Sequence, residues 1–353
     1  MKALVESIKK KAKPVIHQLG PNLFGAFFWL MKLVVALKML GDASETGKIG
    51  PESKIVETTS GTMGYGIALA ARIKKYRVTL VGDPAIDPNL FNLLDLLGAK
   101  VEIIKEKRAI GGYQEPRLER VRDIVKQDPN AFWVQQYHNP SNPAAYSIPA
   151  SIIAGEVGQV DNLVATVGSG GSISGTVKEL RAAGHPTRAI AVDTFNSVLF
   201  GQEDGPRVLR GLGNSIRPNN LDYGLIDEVH WVAAPDAFCA ARELFIKYGH
   251  DMGPTTGAAF MVAKHIASLN PNKSVVFIGP DRAERYLSTV YNLQWCKDNG
   301  LLIDRSAEAP IEVKHPGEAN GPWNFVDWNR RDITEIVPPN TFTDYSTSSG
   351  GSK

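Results

Sequence analysis

The sequence predicts an α/β protein built from doubly wound parallel sheets. Short β-branched runs alternate with helical patterns along most of the chain, which is typical of parallel sheets covered by helices. Several predicted strands are apolar on both faces, as expected of strands that helices bury on both sides. The length of 353 residues suggests two domains or one large one, and we find no internal repeat.

The individual elements follow from local patterns in chain order. Strands are predicted for the β-branched runs at 53–59, 77–83, 100–105, 132–137, 162–168, 188–194 and 274–280. Helices are predicted at 64–76, 89–99, 174–184, 235–249 and 283–300. Residues 306–353 form a C-terminal extension whose tryptophans, Trp323 and Trp328, predict that it packs on the rest of the protein. About the last ten residues are predicted to be disordered.

Composition excludes several classes of function. The formal net charge of +2 is too small to indicate binding of nucleic acid or of a membrane surface. The cysteines Cys239 and Cys296 have no metal-binding spacing and no CxxC pattern, so we expect no metal site and a cytoplasmic, reducing location. The N-terminus is a poor signal peptide. The apolar run at 23–31 is shorter than the roughly 20 residues of a membrane-spanning helix.

Lys32 lies inside the apolar run AFFWLMKLVV, residues 26–35. We predict a buried helix here. Burial disfavours the charged ammonium and makes the neutral amine available for imine chemistry, so Lys32 is a candidate for covalent attachment of a cofactor. The alternative is a lysine at a helix edge whose ammonium reaches solvent. The local sequence alone does not favour one over the other.

Three segments rich in Gly, Ser and Thr lie at 58–66, 167–176 and 253–259. Ligands of parallel sheets bind beyond the carboxyl ends of strands, and amides at a helix N-terminus bind anions. Residues 168–172 are therefore a candidate phosphate cradle, with a plain strand-to-helix turn as the alternative. Neither GxGxxG nor a Walker loop is present, which favours a smaller phosphorylated cofactor. Together with Lys32, the cradle suggests pyridoxal phosphate.

Six motifs, taken in order, resemble the pyridoxal-phosphate-dependent cysteine synthase and cystathionine β-synthase family, of the tryptophan synthase β fold type. They are KIVETTSGTMG (54–64), WVQQYHNPSNPAAY (133–146), VGSGGSISG (167–175), GLGNSIRPNNLD (211–222), GPTTGAA (253–259) and PDRAERYLST (280–289). The resemblance implies two doubly wound α/β domains (fold type II) with the cofactor in the cleft between them. The smaller, mobile domain would span 40–146, and the larger one 1–39 and 147–305.

The resemblance also implies roles for the matching residues. Lys32 stands where the family has its Schiff-base lysine. The cofactor would further contact Thr62, Gly168, Ser169, Gly170, Gly171, Ser172 and, near the pyridine nitrogen, Arg282. A small amino-acid substrate would contact Thr59, Ser60, Gly61, Thr62, Met63, Gln136 and Gly211.

The sequence departs from the family pattern at several of these positions. Leu33 and Val34 replace the Asp-Arg pair that usually follows the lysine, and Thr62 and Met63 replace Asn and Thr. Arg282 stands near the position of a small hydroxyl residue, where a cation would disfavour ring protonation and weaken the electron sink. These departures concern rate and substrate more than fold.

The implied activity is β-replacement on an activated serine, O-acetylserine or O-phosphoserine, by a sulfur or amine nucleophile. Arg210 and Arg217 lie close to the active-site glycine Gly211. Guanidinium groups match phosphate well, which favours O-phosphoserine. The alternatives are β-elimination, as in serine or threonine dehydratases, and a non-catalytic relative that acts through a protein partner. We expect a homodimer, because the apolar N-terminal segment would suit a dimer interface.

Overall fold

The structure is a computed structural model that describes residues 2–108 and 112–337. Within these residues the strands form two sheets, one of eight strands and one of four, which confirms the predicted α/β class. The disorder predicted for about the last ten residues falls outside the described part of the chain. No helix in the described part is both long enough and apolar enough to cross a membrane.

The elements have the following bounds. The strands are β1 (Val15–Gln18), β2 (Leu23–Phe27), β3 (Lys54–Thr58), β4 (Arg77–Gly82), β5 (Ala99–Ile103), β6 (Ala131–Trp133), β7 (Asn162–Thr166), β8 (Arg188–Asp193), β9 (Glu228–Val232), β10 (Val275–Gly279), β11 (Ile311–Glu312) and β12 (Trp323–Asp327). The helices are α1 (Lys2–Lys11), α2 (Met31–Glu45), α3 (Thr62–Lys74), α4 (Pro88–Leu96), α5 (Gln114–Gln127), α6 (Ser141–Ala144), α7 (Ser147–Val157), α8 (Gly171–Ala182), α9 (Ala234–Tyr248), α10 (Pro254–Leu269) and α11 (Leu293–Asp298).

The smaller sheet has the strand order β5-β4-β3-β6, and all its strands are parallel. Ile55 and Val56 on β3 are fully buried on its two faces, as strands between helix layers should be. This sheet lies within residues 40–146, the range predicted for the smaller domain. The domain division and the mobility of this part stay predictions.

The larger sheet has the order β1-β2-β10-β7-β8-β9-β12-β11. Its five central strands, β2, β10, β7, β8 and β9, run parallel. β1 and β12 pair antiparallel with their neighbours β2 and β9. Residues 311–327 of the predicted C-terminal extension therefore complete this sheet, and the predicted packing of Trp323 and Trp328 is confirmed, since both are buried.

A buried polar network joins β9 to β12. The indole Nε1 of Trp323 donates to Nδ1 of His230 at 2.9 Å, and Nε2 of His230 contacts the carboxylate of Glu228. Glu228 also pairs with Arg188 on β8 at 3.0 Å. Each buried polar atom of the His230 ring thus has a partner, as buried polar groups require.

The predicted buried helix around Lys32 is confirmed from Met31 onward, where α2 begins, but the first residues of the apolar run belong to the buried strand β2 (Leu23–Phe27) and its connection to α2. Leu33, Val35 and Ala36 are fully buried. The amide of Met31 donates to the carbonyl of Pro280 at 2.8 Å, which ties the first turn of α2 to the segment after β10. α3 packs closely on α2 because it has a glycine at the contact: a β-carbon at Gly66 would lie 2.6 Å from the backbone oxygen of Lys32.

Some predicted elements are wrong. The helix predicted over 283–300 is a short 3₁₀ turn, Ala283–Arg285, followed after a gap by α11. The chain turns at Tyr286, whose hydroxyl donates to Asp281 at 2.8 Å and anchors the segment to the loop after β10. β9, with sequence EVHWV, was not predicted because its two polar residues conceal a strand that is buried throughout.

Candidate active site

A cleft of about 270 Å³ lies beyond the carboxyl ends of strands from both sheets. Segments that follow β3, β4, β6 and β7 line it, as expected for ligand sites of parallel sheets. A second cavity of about 60 Å³ shares six lining residues with the cleft: Lys32, Gly61, Thr62, Gly168, Arg210 and Gly211. Most of the residues predicted from the sequence therefore lie around one space.

Lys32 points into this space from the first turn of α2. Its Nζ lies 3.3 Å from the hydroxyl of Ser169. Burial lowers the pKa of Lys32 to about 8, although the carboxylate of Asp281 acts in the opposite direction. A neutral amine is therefore far more accessible here than on an exposed lysine, whose pKa is about 10.4. This arrangement favours the predicted chemical role over the helix-edge alternative.

The predicted phosphate cradle, residues 168–172, connects β7 to the N-terminus of α8. Gly170 has φ +78°, and a β-carbon there would lie 2.5 Å from Leu221. A β-carbon at Gly171 would lie 2.2 Å from Oδ1 of Asn142. The first amides of α8 have no intrahelical acceptor, and the hydroxyls of Ser169 and Ser172 lie beside them in a buried setting. This geometry suits a bound phosphate.

The predicted substrate loop, residues 59–63, connects β3 to the N-terminus of α3. Every residue of this loop lines the cleft. The hydroxyl of Thr59 accepts from the amide of Gly61 at 3.0 Å. Gln136 lines the cleft opposite the loop, and its Nε2 donates to the carbonyl of Thr58 at 2.9 Å. The preceding residue, Gln135, has φ +59°, an uncommon conformation that turns the chain sharply at the end of β6.

Glu57 joins these two segments but was not predicted as a site residue. Its carboxylate accepts from the amide of Thr58 at 2.7 Å, from the amide of Gln136 at 2.9 Å and from the indole of Trp133 at 3.2 Å. Burial raises the pKa of Glu57 to about 7, and these donors oppose that rise. The carboxylate holds the ends of β3 and β6 in one arrangement.

Arg117 on α5 was also missed. Its guanidinium is largely buried and lies 2.9 Å from the carboxylate of Asp83, which directly follows β4. It also donates to the hydroxyl of Ser60 at 2.9 Å. The sequence carried a signal, since Arg117 shares a helical face with the buried Val121 and Ile124. A charge on an apolar helical face requires a partner.

Two predicted residues do not reach the site. Arg282 points outward, with its side chain 43% exposed and paired with Asp251 at 2.5 Å. The expected cation at the pyridine nitrogen is therefore wrong. Arg217 does not line the cleft either; its charge acts on Tyr223 and Asp332, which places it on the side of the C-terminal segment. Arg210, in contrast, lines both cavities.

Thr255 and Asp281 occupy the place expected for Arg282. Both line the smaller cavity beside Lys32. The hydroxyl of Thr255 and Oδ1 of Asp281 are buried without a hydrogen-bond partner among the described residues. Thr255 belongs to the GPTTGAA motif at the start of α10, one of the six motifs that carry the family resemblance, but it was not among the predicted site residues. A hydroxyl in this position can serve a bound ring nitrogen.

A family model described as pyridoxal-phosphate dependent enzyme matches residues 31–281. The chain belongs to this family. It is 36% identical to an N-(2-amino-2-carboxyethyl)-L-glutamate synthase of Cupriavidus metallidurans, over 70% of this chain and 75% of that protein. A second synthase of this name, from Ralstonia nicotianae, is 36% identical over the same shares of the two chains.

The solved structure of an O-acetylserine-dependent cystathionine β-synthase from Helicobacter pylori superposes with a TM-score of 0.73 at 26% identity, covering 80% of this chain and 96% of that one. This likeness and the family match confirm the predicted fold type and the predicted cofactor, pyridoxal phosphate.

The residues of the cleft fit this cofactor. The pKa of Lys32, lowered to about 8 by burial, makes its amine available to an aldehyde. Gly170 and Gly171 of the cradle have no side chain, so their backbone stays open to an anion, and a β-carbon at either position would clash with Leu221 or Asn142. The hydroxyl of Thr255, buried and without a hydrogen-bond partner among the described residues, is of the kind that a pyridine nitrogen could use. A larger groove of about 790 Å³, between α9, α10 and residues 302–308, contains none of these groups.

Proposed function

We propose that this enzyme catalyses β-replacement on an activated L-serine, in which a sulfur or amine nucleophile takes the place of the group on the β-carbon. The observation that carries the proposal is the convergence of Lys32, the phosphate cradle and the substrate loop on one cleft. The names of the relatives support it. One synthase is named for a product in which glutamate carries a 2-amino-2-carboxyethyl group on nitrogen. The Helicobacter pylori enzyme is named as dependent on O-acetylserine.

Bound pyridoxal phosphate supplies an aldehyde that condenses with amines and a conjugated ring that draws electrons away from the substrate α-carbon. In our proposal, residues 168–172 hold its phosphate, and Thr255 serves its ring nitrogen. Lys32 would hold the cofactor through its amine, since its Nζ lies beside Ser169 of the cradle and lines the cleft. With substrate in the cleft, the amine of Lys32 would act as general base for the α-proton, a role that its lowered pKa of about 8 favours.

The substrate carboxylate would bind at the N-terminus of α3. The amides of Thr62 and Met63 lie in the first turn of this helix, where amides have no intrahelical acceptor and a negative charge is favoured. Ser60 is held in place by Arg117, and Gln136 closes the other side of the loop. A carboxylate fixed in this way would orient the α-proton toward Lys32.

Departure of the β-substituent leaves the β-carbon open to the nucleophile, and the proton held by Lys32 returns to the α-carbon. We favour O-phosphoserine over O-acetylserine as the donor because of Arg210. Its guanidinium lines both cavities and has no ion-pair partner among the described residues. The neighbouring Arg207 is already paired with Asp204 at 2.8 Å.

We also propose that the enzyme is a cytoplasmic homodimer. Val15 on β1 and Ile148 on α7 are 57% and 62% exposed, and their two elements are in contact. An exposed apolar pair on neighbouring elements suits a subunit interface. Sedimentation of the purified enzyme tests this state, and a monomer at micromolar concentration would contradict it.

The proposed reaction is tested with purified enzyme loaded with pyridoxal phosphate. O-phosphoserine and O-acetylserine are added in turn, with sulfide, with L-glutamate or with no nucleophile. We expect a change in the visible spectrum with the serine ester and release of about one equivalent of its leaving group per active site without a nucleophile. Continued release should require a nucleophile and give a replacement product identified by mass spectrometry. Pyruvate formed at the same rate with and without nucleophile would indicate β-elimination instead. An unchanged spectrum with both esters would support a non-catalytic relative.

A further inference from the structure

Asn142, in the short helix α6, lies between the substrate side and the cofactor side of the cleft. Its side chain is 1% exposed. It does not line the cleft itself, so its role must be exerted through its neighbours.

The amide nitrogen of Asn142 makes two contacts that join these sides. Nδ2 donates to the backbone oxygen of Gln136 at 2.7 Å and to the hydroxyl of Ser169 at 3.2 Å. The same hydroxyl accepts from Nζ of Lys32 at 3.3 Å. One amide group, with its two N–H donors, therefore links the strand end that carries Gln136 to the phosphate cradle and to the lysine.

The amide oxygen of Asn142 packs against the cradle. Oδ1 is buried and has no hydrogen-bond partner among the described residues, and it lies where a side chain at Gly171 would have to be. If the amide of Asn142 were rotated by 180°, its oxygen would face the backbone oxygen of Gln136, and neither could donate. The hydrogen bonds from Nδ2 to Gln136 and Ser169 therefore fix the orientation of the amide. Asn142 is thus in close contact with the first residue of α8, where the phosphate is expected.

We infer that Asn142 is a positioning residue that couples the phosphate cradle to residues 135–137, so that binding of the cofactor orders the segment that faces the substrate. The coupling runs from Ser169 through Asn142 to the backbone oxygen of Gln136, and the carboxylate of Glu57 accepts from the amide of the same residue. It requires only that the cofactor binds at the cradle and is independent of the leaving group and the nucleophile.

The structure provides a matched control in Asn220. Its Nδ2 donates to the same oxygen of Gln136, at 2.9 Å, and its side chain is also buried. The described hydrogen bonds of that side chain do not include the cradle. Loss of Asn220 therefore removes one support of Gln136 but leaves the link to Ser169 intact.

The test is hydrogen–deuterium exchange of the apoprotein with and without pyridoxal phosphate, read in the peptides that cover 133–139 and 167–175. In the wild type, we expect the cofactor to slow exchange in both peptides. In Asn142→Ala, protection should remain at 167–175 and disappear at 133–139, and the cofactor dissociation constant should rise about fivefold, as expected for one lost hydrogen bond. Asn220→Ala should retain protection in both peptides.

Ser169→Ala provides a second variant in case Asn142→Ala does not fold. It removes the acceptor on the cradle side, so it should also abolish the protection at 133–139 while keeping that at 167–175. Three results would overturn the inference: no protection at 133–139 in the wild type, full protection there in the Asn142 or Ser169 variant, or equal loss in Asn220→Ala. If the exchange results are as expected but the β-replacement assay fails, the proposed reaction is refuted and the role of Asn142 is not.

Discussion

The phosphate cradle and the substrate loop both lead from a parallel strand into a helix N-terminus, but they are held in different ways. The cradle is held mainly by close packing on its glycines. A side chain at Gly168 or Gly170 would collide with the backbone of Gly211 or Leu221, and one at Gly171 would collide with the side-chain amide of Asn142. The substrate loop has open space at Gly61 and is held by side chains, through the bond between Ser60 and Arg117.

This difference separates the two tasks of the cleft. A site formed by close-packed backbone accepts one anion and tolerates little change. A site formed by side-chain contacts changes its specificity when a few of them are exchanged. We call the cradle the backbone wall of the cleft and the substrate loop, residues 59–63, its side-chain wall. The departures from the family pattern at Thr62 and Met63 lie in the side-chain wall, where the substrate is expected to bind.

Lys32 lies where the two walls meet, so its loss should have the largest effect. We expect Lys32→Ala to lower β-replacement by roughly 10²–10⁴-fold, the usual contribution of a general base, while the cradle still binds pyridoxal phosphate. Borohydride reduction of the loaded wild type followed by peptide mapping should label Lys32. Lys38→Ala on the same helix is the control, and a label on Lys38 would refute the assignment.

The side-chain wall is tested by Arg117→Leu. This change leaves Asp83 buried without its partner, and breaking a buried pair typically costs about 3–5 kcal/mol. Urea unfolding should show a loss of this size, together with a higher KM for the serine ester. Arg120 lies on the same helix as Arg117 and forms a more exposed ion pair with Glu102 on β5. Arg120→Leu should therefore cost about 0–1 kcal/mol. Equal losses in the two variants would remove the distinction.

The backbone wall is tested by Gly170→Val. Overpacking against Leu221 typically costs about 1–3 kcal/mol, and φ +78° disfavours a branched side chain. Absorbance titration should show a higher dissociation constant for the cofactor. Gly184→Val is the control, because Gly184 also has positive φ but has open space around it and lies away from the cleft. Unchanged cofactor affinity in Gly170→Val would contradict the assignment of the cradle.

Arg210→Ala should have the smallest effect. Because Arg210 is exposed, its interaction with a phosphate is screened by solvent, and we expect a loss of about 0.2–1 kcal/mol. The change should appear as a higher KM for O-phosphoserine, with O-acetylserine unaffected. A loss that is the same for both esters would show that Arg210 does not recognise the leaving group.

Features that depend on local backbone pattern could be predicted from the sequence. The cradle, the substrate loop and the buried helix around Lys32 each follow from a few consecutive residues. Arg117 could not be assigned to the site in this way, because it lies on α5, far in the sequence from Ser60, which it contacts. Arg282 was assigned wrongly because successive residues of a turn point in different directions: Asp281 faces the cavity and Arg282 faces solvent.

The attachment of β12 to β9 determines where the folded unit can end. A chain cut after residue 305 would keep every residue that lines the cleft, but β9 would become a sheet edge. Its row of unpaired amides and carbonyls would then offer a template to other chains, as exposed strand edges do. His230 would also lose the indole that donates to it. Shortened forms of this enzyme should therefore associate and precipitate rather than simply lose activity, and expression trials that shorten the chain should stop beyond Asp327.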